Sequence, residues 1–401
     1  MQEKLTNNRN SGIDVLRGIA VISVVLLHIN IQIPFSDTYI GIIMPKMLYK
    51  FLFWSGYYGV CMFFVVSGFL ITTTSLNRWT TLPKVSRSGF YIMRFTRIMP
   101  LLVGLLLVLS VLHLAGVTGF IINHERTTLG RALFAAITFH INWLEMKVGY
   151  LPGSWDILWT LSIEEVFYLF FPLLCVLCRK EWHFVALIAV FLGISPIART
   201  LWFQGNELGD KNNFAYLDAI SLGCMAALVA KRIDVEKWAL NAFKVVGWGL
   251  IVFILVFRRA ANQWHLIETG LNVTVLAIGT AFLLISMQKD FVSDRQKPSR
   301  FTAVLRFFGR NSYEVYLTHM FVVILLVDVF KVLKLSGDWT WSLYISVIFT
   351  SGILGYLVAR FFSNPLNKFI RQRFTNQPVI TVNDLQTREG KGIKIEKKTC
   401  W

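Results

Sequence analysis

Charged side chains are scarce in this chain of 401 residues. Only 16% of the residues are Asp, Glu, Lys or Arg, against about 25% in soluble globular proteins. Cysteine is rarer still, with five residues, which excludes a scaffold built on dense disulfides. Hydrophobic residues make up 55% of the chain, which excludes a disordered protein. Composition therefore also rules out a soluble globular enzyme and favours a membrane protein.

What the sequence has instead is a series of long apolar blocks. A helix of about 20 apolar residues crosses a hydrocarbon core of about 30 Å. Eleven blocks are candidates, at 15–33, 51–76, 97–119, 130–146, 157–178, 183–203, 214–231, 242–257, 268–287, 312–333 and 340–362. Arg131, His140, Asn142 and Glu145 interrupt the fourth block. We therefore expect 130–146 to be a re-entrant or interfacial segment on the outer side, packed in protein or lining a cavity.

The distribution of basic residues fixes the expected orientation. With ten spans and a cytoplasmic N-terminus, 29 of the 40 Lys and Arg residues fall in cytoplasmic segments, as the positive-inside rule requires. This distribution accounts for the net charge of +17. Nucleic-acid binding is not expected, because no basic domain stands outside the membrane segments. The sequence predicts an all-α polytopic bundle at 1–365, both termini cytoplasmic, and a basic cytoplasmic tail at 366–401.

Ionisable residues inside a bilayer are costly and usually functional. In the first span, Arg17 and His28 are eleven residues apart, so they share a helix face and lie about 16 Å apart along its axis. This spacing suits a site that runs from the cytoplasmic surface to beyond the midplane. Arg17 as a snorkelling anchor, and His28 as a polar helix contact, remain alternatives.

Two further spans carry charge. Arg94 and Arg97 share a face at the predicted cytoplasmic start of the third span, where two planar guanidinium groups suit phosphate binding. The alternative is again topological anchoring. Glu164 lies at a predicted depth similar to that of His28, and a carboxylate beside an imidazole makes an acid–base pair. A buried structural role for Glu164 is the other interpretation.

Two polar clusters complete the candidate residues. Asp218 stands near the outer start of its span. Ser312, Tyr316 and His319 have i, i+4, i+7 spacing, which places them on one helix face. No pattern of metal ligands is evident, because Cys175 and Cys178 have no second pair with which to form a closed zinc site.

Seven motifs in this order resemble the acyltransferase-3 family of integral membrane acyltransferases, which includes O-antigen, capsule and nodulation-factor O-acetyltransferases. The matching stretches are Asp14–Ala20 with His28, Gly59–Ile71, Arg94-x-x-Arg97-x-x-Pro100, Thr138–Asn142, Trp159–Tyr168, Asp218–Gly223 and Ser312–His319. The resemblance covers about residues 12 to 365. It implies that Arg17, His28, Arg94 and Arg97 serve acyl-coenzyme A use and catalysis.

This resemblance leads to a specific expectation about activity. The chain is expected to be an enzyme of the bacterial inner membrane that moves an acetyl group from cytoplasmic acetyl-coenzyme A to a surface polysaccharide or its lipid-linked precursor. His28 would act as general base on the acceptor hydroxyl or carry the acetyl group, and Glu164 would orient His28 or balance its charge. The expected substrate contacts are Ser67, Asn142, Tyr168, Asp218, Tyr316 and His319. Ser67 and Asn142 are placed near the reacting carbonyl.

Two other classes of protein fit part of the pattern. A secondary transporter, or a flippase for a lipid-linked sugar or small anion, would also place Arg, His and Glu near the midplane. Against it stand the absence of evident half-repeats in the sequence and the three arginines on the inner side of two spans. A non-catalytic membrane scaffold would leave the shared face of Arg17 and His28 unexplained.

Overall fold

The computed structural model describes residues 9–178, 180–293, 299–335 and 337–374, and every regular element in these ranges is helical. The predicted all-α class is confirmed. The α-helices are α1 Ser11–Gln32, α2 Tyr39–Ile43, α3 Lys46–Phe53, α4 Gly56–Trp79, α5 Arg87–Leu114, α6 Leu129–Ile137, α7 Ile141–Val148, α8 Gly153–Asp156, α9 Leu158–Leu177, α10 Glu181–Thr200, α11 Leu217–Arg232, α12 Lys237–Val256, α13 Arg258–Gln263, α14 Leu271–Val292, α15 Ala303–Arg310, α16 Ser312–Val332, α17 Thr340–Val358 and α18 Asn364–Phe374.

Nine helical segments in the described ranges are long and apolar enough to cross a membrane. They correspond to nine of the ten predicted spans. The remaining predicted span, 214–231, is helix α11, which has only 16 residues and a length of about 24 Å. Ten of its residues are buried, so α11 packs inside the bundle, where protein rather than lipid surrounds it.

The apolar block at 130–146 is broken into two short helices, α6 and α7. The chain turns between them at 138–140, where Phe139 has φ of +57°. Neither helix is long enough to span a membrane. The block is therefore not a tenth or eleventh crossing helix in this structure, as the polar interruptions predicted.

Helix α4 lies at the centre of the bundle, and 15 of its 24 residues are buried. It packs backbone to backbone against α11. A Cβ atom on Gly68 would overlap the carbonyl oxygen of Ile220, and a Cβ atom on Gly223 would overlap that of Val65. Small residues permit this close approach between membrane helices. The contact fixes the helix turn that carries Ser67.

Three helices begin at the same end of the bundle. Asn10 caps α1 by accepting hydrogen bonds from the backbone N–H groups of Gly12 and Ile13. Asp14, on the first turn of α1, lies between Arg9 and Arg310. The starts of α1, α5 and α16 thus surround one opening, which is called the basic end below. It is the end that the sequence predicts to be cytoplasmic. The predicted basic tail lies outside the described residues from 375 onward.

Candidate active site

The basic end opens into two connected hollows. The outermost, called the vestibule, has a volume of about 470 Å³ and is lined by Arg9, Asp14, Arg17, Arg94, Arg97, Arg310 and Glu314 among others. The deeper one, called the cavity, has a volume of about 170 Å³; its lining includes Arg17, Ser67, Arg94, Thr160, Glu164, Tyr168, Ser312 and Tyr316. Arg17, Arg94 and Arg97 line both. The vestibule is therefore wide and charged, the cavity is narrower and more apolar, and these three arginines lie where the two meet.

The arginines of the vestibule differ in their partners. Arg9 Nε lies 2.9 Å from one Asp14 oxygen and Arg310 Nε lies 3.6 Å from the other. Arg97 Nη2 lies 3.3 Å from Oε1 of Glu314, whose side chain is 1% exposed. Within the described residues, Arg17 and Arg94 have no carboxylate within ion-pair distance. These two guanidinium groups are the ones available to an anionic ligand.

A chain of hydrogen bonds lines the cavity. The Ser67 hydroxyl shares a short hydrogen bond with the Tyr168 hydroxyl, and Tyr168 donates to Oε2 of Glu164 at 3.4 Å. Glu164 and Tyr168 are one helix turn apart on α9. The Arg94 guanidinium lies 3.8 Å from the centroid of the Tyr168 ring, a cation–π contact that favours negative charge on the ring.

Tyr316 closes the other side of the cavity. Its hydroxyl donates to the Ile157 carbonyl at 3.1 Å and accepts from Thr160 at 2.9 Å. The Phe63 ring packs against it at 6.2 Å between centroids. In the same wall, the buried hydroxyl of Ser312 has no hydrogen-bond partner in the described part of the chain. An unpaired buried hydroxyl facing a hollow is open to a polar group of a ligand.

His28 and His319 form a pair behind Tyr316. Nδ1 of His28 lies 2.9 Å from the Val24 carbonyl oxygen and 3.2 Å from Nε2 of His319. Nδ1 of His319 lies 2.7 Å from the Tyr316 carbonyl oxygen. Carbonyls only accept, so each Nδ1 carries a hydrogen, as the hydrogen-bond network assigns it. His28 is thereby left with a lone pair on Nε2, the form that a general base needs.

The predicted site residues separate into three groups. The cavity or vestibule brings together Arg17, Arg94, Arg97, Ser67, Glu164, Tyr168 and Tyr316. His28 and His319 are adjacent but do not line either hollow. The expected pairing of Glu164 with His28 is absent among the described contacts, because the Glu164 carboxylate faces Tyr168 instead.

The remaining two predicted residues lie elsewhere and are fully buried. Asp218 binds Arg199 through two hydrogen bonds of 2.8 Å and accepts a third from Thr274, which ties α10, α11 and α14 together. Asn142 donates to the Lys211 carbonyl and to Asn213. In this structure both side chains hold separate segments of the bundle together, and their role as substrate contacts stays a prediction.

Sequence reasoning missed a buried charge cluster at the far end of the bundle. The Lys211 ammonium lies 2.7 Å from Glu145 and also contacts Asp156. Burial raises the pKa of Glu145 well above its usual value, and the Asp156 carboxylate adds to that rise. Burial alone lowers the pKa of Lys211, but Asp156 and Glu145 outweigh it, so that pKa is raised.

Comparison with known proteins finds a matching family and several similar proteins. A family model described as an acyltransferase domain matches residues 10–374. O-acetyltransferase OatA of Staphylococcus aureus strain NCTC 8325 is 26% identical over 383 residues, which cover 89% of this chain and 57% of that protein. A provisionally named O-acetyltransferase of S. aureus strain COL is 27% identical over the same shares. The chain thus spans a little over half the length of these relatives. No solved structure matches it.

Proposed function

The chain belongs to this acyltransferase family, and from that premise we propose that it transfers an acetyl group from acetyl-coenzyme A to a hydroxyl of a surface polysaccharide or its lipid-linked precursor. Its place would be the inner membrane of a bacterium, which fits relatives from S. aureus. The names of those relatives specify O-acetyl transfer. The observation that carries the proposal is the path from the arginine-lined vestibule into the cavity.

The shape and charge of this path suit a thioester of coenzyme A. Such a donor has a bulky polyphosphate end and a thin arm that ends in the acyl group. The vestibule, at about 470 Å³, would take the phosphates, and the cavity, at about 170 Å³, would take the arm. Arg17 and Arg94 supply unpaired guanidinium groups at the junction, where bidentate hydrogen bonds to phosphate oxygens are strong. The Ser312 hydroxyl is available to an amide of the arm.

His28 is the proposed general base for the acceptor. Its Nε2 lone pair would take the proton of the acceptor hydroxyl as that oxygen bonds to the acyl carbon. The Val24 carbonyl and Nε2 of His319 would accept from Nδ1 of His28, which keeps the hydrogen there and leaves Nε2 to take the proton. The acceptor would approach His28 from the far end, opposite the donor.

The test uses the purified chain in lipid nanodiscs with radiolabelled acetyl-coenzyme A and a glycan extract. Label on the glycan is the expected result, and Arg94→Ala should reduce it by weakening donor binding. Arg87→Ala is the matched control, because Arg87 is exposed on the same helix, outside both hollows. Transport of a lipid-linked sugar across sealed proteoliposomes, with no acyl transfer in either preparation, would instead support a flippase and overturn the proposal.

A further inference from the structure

The cavity that would receive the thioester contains no part of His28. Tyr316 links the cavity to the histidine pair: it lines the cavity, and its ring centroid lies 6.2 Å from that of Phe63 and 5.9 Å from that of His319, which contacts His28. The two hydrogen bonds of its hydroxyl hold it there. An acceptor activated at His28 must therefore reach the cavity beside Tyr316, whether the acyl group is still on the thioester or already on the enzyme.

Ser67 lines the cavity, and its hydroxyl is placed to take the acyl group while the donor is bound. Serines buried within helices commonly donate to the carbonyl four residues earlier, as Ser23, Ser110 and Ser162 do here. Ser67 has no such bond among the described contacts; its hydroxyl is bonded to the Tyr168 hydroxyl. The side chain is half-buried at the cavity surface, whereas Tyr168 is 4% exposed and its oxygen is flanked by Ser67 and Glu164. Of the two hydroxyl-bearing side chains in this chain of hydrogen bonds, Ser67 is therefore the more exposed.

The other end of the chain of hydrogen bonds supplies a base. A proton from Ser67 passes to the Tyr168 oxygen as the Tyr168 proton passes to Glu164, in the manner of a nucleophile activated by an adjacent base and a third orienting group. Arg94, 3.8 Å from the Tyr168 ring centroid, stabilises the negative charge that the phenol gains in transit. Ser67, Tyr168 and Glu164 thus have the connectivity of a nucleophile, a relay and a base.

We propose that Ser67 is the first acyl acceptor, and that transfer proceeds through an acetyl-serine enzyme; this rests on the proposed function for its acyl donor. In the first step the Ser67 oxygen bonds to the thioester carbon, the carbon–sulfur bond breaks, and the Ser67 proton reaches Glu164 through Tyr168. The coenzyme thiolate takes a proton from water in the open vestibule. In the second step the acceptor oxygen bonds to the acetyl carbon as the bond from that carbon to the Ser67 oxygen breaks. The acceptor proton goes to His28 and then to solvent, where it neutralises the hydroxide from the first step, and Ser67 regains its proton from Glu164 through Tyr168.

The first experiment leaves out the glycan. The nanodisc-embedded chain is mixed with acetyl-coenzyme A, quenched rapidly and analysed by intact mass and peptide mass spectrometry, with heat-denatured protein as the control for chemical acetylation. The expected result is one added acetyl group on Ser67, and none in Ser67→Ala. The chain should also exchange labelled coenzyme A into acetyl-coenzyme A without an acceptor, the signature of a two-step mechanism.

Matched variants distinguish a loss of acylation chemistry from a loss of folding. Ser23→Ala, on the neighbouring helix α1, should acetylate like the wild type. Ser67→Cys should form an acetyl thioester, which neutral hydroxylamine cleaves, whereas the acetyl oxyester of the wild type resists neutral hydroxylamine. This variant tests whether position 67 is acylated even if Ser67→Ala misfolds. Glu164→Gln should slow the acylation step at unchanged affinity for acetyl-coenzyme A.

The outcomes distinguish this inference from the proposed function. Acetyl found on His28 or Tyr168, or full glycan acetylation by a folded Ser67→Ala variant, would overturn the serine intermediate and leave the proposed function standing. A wild type that neither exchanges coenzyme A nor transfers acetyl to any glycan would overturn the proposed function itself.

Discussion

Nε2 of His319 lies 3.2 Å from Nδ1 of His28, so the partner of the proposed base is a second imidazole and not a carboxylate. The His319 side chain is wholly buried, and its own Nδ1 is engaged by the Tyr316 carbonyl. A neutral partner fixes the tautomer and the ring orientation of His28 without placing a full negative charge beside it.

Replacing His28 should abolish transfer without abolishing donor binding. His28→Gln keeps a hydrogen-bonding group but cannot act as a base, so transfer should fall by about 10²–10⁴ at nearly unchanged acetyl-coenzyme A affinity. Glycan acetylation and equilibrium binding measure the two quantities. His265→Gln, at an exposed position, is the control. Near-normal acetylation by His28→Gln at normal protein level would make His28 structural.

Replacing His319 should affect the rate more than donor binding. His319→Leu removes one of the two acceptors for His28 Nδ1 and leaves only the Val24 carbonyl. The loss of one hydrogen bond, about 1 kcal/mol, should lower kcat roughly fivefold with KM for acetyl-coenzyme A unchanged. His319→Gln retains an acceptor oxygen and should recover part of the rate. Equal losses in both variants, or a change confined to KM, would argue against a positioning role.

The two arginines of the Arg-x-x-Arg motif should behave differently. Arg94 has no carboxylate partner within the described residues, so Arg94→Ala should weaken acetyl-coenzyme A binding by the roughly 1.5–3 kcal/mol of a charge-assisted hydrogen bond, about 10- to 150-fold. Arg94→Lys should recover only part, because an ammonium lacks the planar fork. Unchanged affinity in Arg94→Ala would mean that Arg94 only anchors its helix.

Arg97→Ala should lower stability as well as affinity, because it leaves the buried Glu314 carboxylate without its partner. The double variant Arg97→Ala with Glu314→Gln should regain thermal stability in detergent but not donor affinity. If the double variant regains both, Arg97 serves only to neutralise Glu314.

The far-end cluster gives a stability prediction. Lys211→Met leaves the buried Glu145 carboxylate and the partly buried Asp156 carboxylate without the cation that pairs with both, and breaking such a buried pair costs about 3–5 kcal/mol. Thermal unfolding should therefore shift strongly to lower temperature, and adding Glu145→Gln should reverse part of the shift. Lys147→Met, at an exposed position of α7, should unfold like the wild type. An unshifted Lys211→Met would contradict a structural role for the cluster.

Topology can be tested at the broken segment. Residues 120–156 are predicted to lie wholly on the outer side, so alkaline phosphatase fused after Gly149 should be active. The same enzyme fused after Ile233, in a loop predicted to be cytoplasmic, should be inactive. Activity at Ile233, or inactivity at Gly149, would reverse or break the predicted orientation.

The fold was predictable because span length and hydrophobicity are local properties. Even the exclusion of 130–146 followed from polar residues within one short window, and the structure breaks the helix there. The shared face of Arg17 and His28 also follows from helix geometry alone. Only the shortness of α11 was not apparent, since its apolar block was long enough to span.

The site was less predictable because its contacts join distant helices. The i, i+4 spacing of Glu164 and Tyr168 is present in the sequence and indicates that the two can bond, whereas the prediction of His28 as the partner of Glu164 depends on depth alone. Depth along one helix does not say which side chains of other helices a residue meets, and here His28 meets His319 while Glu164 meets Tyr168. The pairing of Lys211 with Glu145, 66 residues apart, depends on a loop conformation that no periodic pattern encodes.

The glycine contact between α4 and α11 has a thermodynamic consequence. Because Gly68 and Gly223 bring the two backbones together with no side chain between them, the relative position of these helices has little freedom once the chain is folded. The conformational entropy needed to order the wall that carries Ser67 is lost during folding and not when a ligand arrives. The donor thus binds to a surface that is already ordered, and the wall does not have to fold when the donor binds.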